Sequence, residues 1–270
     1  LGFFNFAIYQ KKYVGDNNVI NALCSAYLPK LPVLKNSNNS ILSTIENREL
    51  GFTEFSDGGL AFFRTKNYQV LIRLPKFNFK PSQDDVGHFD LIYKGTNCII
   101  DAGTFSYFTD KSTFEYFQGV HSHNTIYRKS APYSMKKLSK FIFSNWTSGS
   151  WIIESKNSIK INFGNQFSDV FQRKFTFNEK SIEISDSVLK SAKNNDYVTA
   201  LNVQSNRLIE KSNTLELFGG KDLDSWSIEG FNGYSCDNTR VSSCYGSYES
   251  IDRISFPIKN NESRYVIKFK

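Results

Sequence analysis

Beyond about residue 50, apolar positions recur with a period of two, and short turn signals separate the runs. Phe52 to Phe55, a turn at Asp57-Gly58-Gly59 and then Leu60 to Arg64 predict a hairpin. Tyr68 to Leu74, His88 to Tyr93 and Cys98 to Asp101 predict further strands, with Lys94-Gly95-Thr96-Asn97 as the turn between the last two. The alternation continues at Ile159, Ile161 and Phe163, at Ile182 and Ile184, and at Leu215 and Leu217. It ends with Ile254 and Phe256, then Tyr265, Ile267 and Phe269. About a dozen short strands with no long helix among them predict a mainly β protein, a large antiparallel β-sandwich.

The start of the chain has a different rhythm. Asp16 can cap a helix in which Val19, Ile20, Leu23, Tyr27 and Leu28 recur at helical spacing, and Pro29 ends it. Pro32 and the run from Asn36 to Ser40 read as a linker. The expected organisation is a helical segment over 1–45 and a sandwich over 46–270. The chain opens on Leu1 within a helical pattern, which predicts a piece of a longer protein. Its longest early apolar stretch, Phe3 to Tyr9, is too short to cross a bilayer, so no membrane partner is expected.

One segment breaks the strand pattern. From Gly103 to Tyr127 the chain is rich in Ser, Thr, Tyr, Phe and His and shows no strand period before Asn124. Long irregular loops inside compact domains are usually functional or mobile. Tyr107 and Tyr116 in this loop either line a ligand cleft or pin the loop to the sandwich.

Composition sharpens this picture in two places. Aromatic residues reach 16%, with 25 Phe and 14 Tyr against one Met, which reinforces the β reading. Such rings also suit sugar C–H faces, although a sandwich core is their commoner use, and Trp146 and Trp151 are read as core. The formal charge of +7 would attract a polyanion. It is scattered rather than blocked and accompanies no nucleic-acid motif, so no nucleic-acid partner is expected. Four cysteines lack any CxxC spacing; Cys98 reads as a buried thiol, while Cys236 and Cys244 flank a turn-like segment and could pair.

The candidate chemistry is concentrated. All three histidines, His88, His121 and His123, lie in one stretch with Asp84, Asp85, Asp90 and Asp101. Such a cluster around a strand–turn–strand unit points to a metal or proton-transfer site, with buried hydrogen-bonded polar residues as the alternative. His88, Asp101 and His123 would converge on an ion if the loop folds back over the strand pair.

Three ordered motifs then carry a resemblance. Gln83-Asp84-Asp85 with His88-Phe89-Asp90-Leu91, Asp101-Ala102-Gly103-Thr104-Phe105-Ser106-Tyr107, and His123-Asn124-Thr125 follow one another. They resemble the "His-Ala-Asp" strand, the "Asp-Pro-Gly-Thr-Tyr-Ser-Tyr" turn and the "His-Asn-Thr" strand of heparinase II/III-like polysaccharide lyases. The resemblance implies a C-terminal β-sandwich behind an upstream α/α toroid that carries much of the active site. It also implies β-elimination on an acidic, uronate-containing polysaccharide, a bacterial source, and a periplasmic or secreted location. A fragment without the toroid would be inactive or incomplete.

By the same resemblance Asp101 and His123 match two zinc ligands, and no organic cofactor is expected. The third ligand position falls on Gln83, a poor zinc ligand. His88, five residues on, either replaces it or serves as a catalytic residue. An offset of five in a strand puts the two side chains on opposite faces unless a bulge intervenes. His121 is the other catalytic candidate, with an exposed loop histidine as its plainer reading. Gln83, Asp85, Tyr107 and Asn124 are the expected substrate contacts. Three rivals remain: a non-catalytic carbohydrate-binding module, a hydrolytic metal centre on an unrelated sandwich, and a nucleic-acid binder.

Overall fold

The computed structural model describes residues 50–77, 80–165, 167–191, 196–219 and 225–270. The helix and linker expected over 1–45, and Cys24 with them, lie outside the described residues.

Two antiparallel sheets dominate. The first runs in the order Gly51–Phe55, Leu60–Arg64, Tyr68–Arg73, His88–Tyr93, Thr96–Ile99, Tyr197–Val203, Ser247–Pro257 and Ser235–Cys244, and Ile126–Arg128 also pairs with Tyr197–Val203. The second runs in the order Arg207–Lys211, Thr214–Phe218, Ser225–Glu229, Glu262–Phe269, Ser181–Lys190, Val170–Asn178, Ser158–Gly164 and Ser148–Ser155. The alternation read from the sequence becomes the burial pattern: Tyr68, Val70 and Ile72 face inward, as do Phe171, Phe175 and Phe177. Both sheets feed one core, and burying each large apolar side chain contributes roughly 1.5–3 kcal/mol. Phe63 of the first sheet stacks on Phe177 of the second at 4.0 Å between ring centroids.

Turn chemistry fixes the register near the site. Lys94 and Gly95 both have positive φ, so a two-residue turn of the type suited to hairpins joins His88–Tyr93 to Thr96–Ile99. That strand ends at Ile99, which leaves Asp101 in irregular chain just beyond the sheet.

Two expectations are corrected. The loop from Gly103 to Tyr127 contains the helix Lys111–Gln118 and a 3₁₀ turn at Val120–Ser122. Asp110 caps that helix by accepting the Thr113 N–H, and Phe114 and Phe117 anchor its buried side. A segment held this way carries no strand period. Cys236 and Cys244, in turn, are free and lie near opposite ends of one strand, Ser235–Cys244. Eight residues of extended chain separate them by roughly 27 Å, far beyond disulfide reach.

Candidate metal centre

His88, Asp101 and His123 come together, each offering one donor atom, with the donors all within 4.8 Å of one another. His88 opens its strand, Asp101 follows the neighbouring strand, and His123 follows the 3₁₀ turn that folds the loop back. Asp101 Oδ1 is 2.7 Å from His123 Nδ1 and 4.0 Å from His88 Nδ1. His88 and His123 are buried, while Asp101 is partly open.

Gln83 is not in the strand that His88 opens. It lies in the loop ahead of the strand, and a turn at Val86-Gly87 separates it from His88. Strand alternation therefore does not govern their relative orientation, and no bulge is needed. Gln83 instead donates its amide to Gly103 O at 3.0 Å, tying two signature motifs to each other. Gly87 makes the turn possible: its φ is +81°, and a Cβ there would sit 2.4 Å from the Phe163 ring. Gly87→Ala is expected to cost about 1–3 kcal/mol, and an unchanged urea midpoint would contradict that close approach.

Electrostatics favour an ionised carboxylate between two imidazoles. Burial alone would raise the Asp101 pKa, but His123 and His88 beside it hold it well below the usual carboxylate range. Burial opposes charge on His88, yet Asp90 and Asp101 overcome it and raise its pKa above the ordinary histidine value. Its Nε2 lies 3.1 Å from Asp90 Oδ1, and its Nδ1 accepts the Asn124 N–H at 2.9 Å. His123 Nε2 is buried with no hydrogen-bond partner.

Two imidazoles and a carboxylate are a zinc-type donor set, and the unpartnered His123 nitrogen fits a ligand role. Tetrahedral zinc would need donors roughly 3.4 Å apart, a value that lies between the 2.7 Å of Asp101 Oδ1 to His123 Nδ1 and the 4.0 Å of Asp101 Oδ1 to His88 Nδ1. An ion bound through His88 must displace either the Asn124 amide or Asp90, and one shared with His123 Nδ1 must displace a proton. The residues present therefore fit a divalent ion.

The backbone bearing the second histidine is clamped. Asn202 Nδ2 donates to Ser122 O at 2.7 Å, Arg253 Nη2 to His123 O at 3.2 Å, and Arg173 Nη1 to Asn124 O at 3.0 Å. Arg173 Nη1 also donates to Gly87 O at 3.1 Å, so one guanidinium holds the residue before His88 and the residue after His123. Asp186 grips the other edge of that guanidinium with contacts of 2.7 and 2.9 Å, and both side chains are fully buried. The sequence carried a signal for this pair. Arg173 and Asp186 occupy inward positions in otherwise apolar alternations, directly opposite each other on paired strands.

The remaining expected site residues fall as follows. Asn124 is buried, donating to Phe89 O and Ile100 O while its Oδ1 accepts the Asn202 N–H. All its polar atoms thus serve the loop rather than a cleft. Asp85 is buried and pairs with Arg73 at 2.9 Å. His121 is not among the clustered donors; its ring packs on Tyr127, and burial lowers its pKa. Tyr116 pins the loop by donating to Arg240 O at 3.1 Å, whereas Tyr107 is exposed.

The family profile described as "Heparinase II/III-like, C-terminal" matches residues 47–268. No curated protein matches the sequence. Among solved structures, a heparinase III superposes with a TM-score of 0.65 at 18% identity, covering 93% of this chain and 41% of its own. The heparan sulfate lyase HepC from Pedobacter heparinus gives 0.67 at 17% identity, covering 98% of this chain and 42% of its own. The chain thus spans about two fifths of the length of these structures.

Proposed function

We propose, from the premise that this chain belongs to the heparinase II/III-like C-terminal family, that it is the sandwich part of a polysaccharide lyase. The substrate would be an acidic, uronate-containing chain, met in the periplasm or outside the cell. The observation that carries the reading is the His88–Asp101–His123 cluster, built from the three signature motifs and held by a buried clamp.

β-Elimination removes the proton at C5, forms the C4–C5 double bond and breaks the C4–O bond, and the departing oxygen takes up a proton. The developing negative charge beside the uronate must be stabilised by donors or a cation. His88, Asp101 and His123 would hold the ion, and when bound it would supply fixed positive charge. Arg173, Asn202 and Arg253 hold the ligand-bearing backbone in place. Exposed Tyr107 would pack on a sugar face.

A longer protein that includes the segment upstream of this chain, incubated with a panel of acidic polysaccharides, is expected to release products with the ultraviolet absorbance of unsaturated uronates. No such product across the panel, with glycan binding retained, would replace the lyase reading with a carbohydrate-binding module.

A further inference from the structure

Outside the His88 cluster, a two-stranded hairpin, Lys136–Ser139 with Ile142–Ser144, projects beside the helix Lys111–Gln118. An open groove of about 590 Å³ lies between them, lined by Thr109, Lys111, Phe114, Glu115 and residues 137–140. We propose that this groove binds an anionic stretch of a glycan chain through its carboxylate or sulfate groups. The proposal rests on the lyase reading for the glycan class, and on the groove itself for the place.

The groove carries a surplus of positive charge. Three lysines line the groove, Lys111, Lys137 and Lys140, against one acid, Glu115. Lys80 adds a fourth ammonium, 5.7 Å from the Phe141 ring centroid. Nearby Asp110 is turned into the helix cap, accepting from Ser112 and Thr113.

Two of these lysines are pre-oriented. Lys140 Nζ lies 4.6 Å from the Phe114 centroid and donates to Tyr107 O at 3.0 Å. Lys137 Nζ lies 4.7 Å from the Tyr133 centroid and donates to Tyr133 Oη at 2.7 Å and Glu115 at 3.2 Å. An ammonium has three donors, so both lysines keep N–H groups for a ligand at fixed positions.

The rim is partly apolar. Leu138 in the lining is 58% exposed, and Tyr107 at 48% and Phe141 at 40% adjoin Lys140, leaving apolar faces beside the cations. An acidic glycan presents C–H faces and anionic groups in alternation, which matches this surface. The volume suits on the order of two sugar units.

The test measures affinity of the 270-residue chain for a heparin tetrasaccharide and a tetragalacturonate by calorimetry. Lys111→Gln/Lys140→Gln should weaken binding about tenfold, with less than a twofold change for the control Lys259→Gln outside the groove. If the double variant fails to fold, Lys80→Gln should lose about threefold. Unchanged affinity in the folded groove variants would overturn the groove and leave the lyase reading intact. No binding of either glycan by the wild type would overturn the groove, while the lyase reading is decided separately by the unsaturated products of the longer protein. Single-stranded DNA of matched charge, bound as tightly and lost on the same substitutions, would assign the groove to nucleic acid instead.

Discussion

Replacing Arg173 by leucine is expected to destabilise the fold by about 3–5 kcal/mol, the largest effect of any single change considered. The substitution leaves Asp186 buried without its partner and strips donors from Gly87 O and Asn124 O. Thr199 Oγ1 also donates to Asp186, and one hydroxyl does not compensate a lost guanidinium. Chemical denaturation reads the loss directly. The double change Arg173→Met/Asp186→Leu should restore much of the stability, because no buried charge remains. It should not restore divalent-ion affinity, since the two carbonyl anchors stay missing. A single variant within about 1 kcal/mol of wild type would remove the clamp from this account.

His88→Ala should weaken zinc binding at least about a hundredfold, whereas Gln83→Ala should change it only a few-fold. The contrast follows from position: His88 contributes a donor to the cluster, and Gln83 bridges the loop backbone. Competition titration against a chromogenic chelator measures both. Equal losses would put Gln83 in the ligand set; no loss for His88→Ala would leave Asp101 and His123 without a third donor.

Much of the fold was legible because strand alternation maps directly onto two sheets sharing one core. The turns at Asp57-Gly58-Gly59 and Lys94-Gly95 declared their hairpins through Gly59 and Gly95, which take positive φ without strain. The helix Lys111–Gln118 was hidden by its length of eight residues and its mixed composition, although Asp110 and the Phe114–Phe117 spacing marked it. In the site, His88, Asp101 and His123 stood out by residue type, and the structure brings them together. Why Gln83 and His88 do different work was not legible, because it depends on a turn at Gly87 rather than on strand periodicity. Asn124 looked like a ligand contact because it sits in a signature motif. Its bonds to Phe89, Ile100 and Asn202 come from residues far apart in sequence, which periodicity cannot reveal. Arg173 and Asp186 were visible as charges at inward positions, but only the strand register identifies them as partners.

The metal content of the purified protein decides whether His88, Asp101 and His123 hold an ion. After equilibration with zinc and removal of excess, wild type should retain about one ion per chain, and His123→Ala none, with both folded by near-ultraviolet circular dichroism. A folded wild-type protein that retains no stoichiometric metal would contradict an ion held by these three residues.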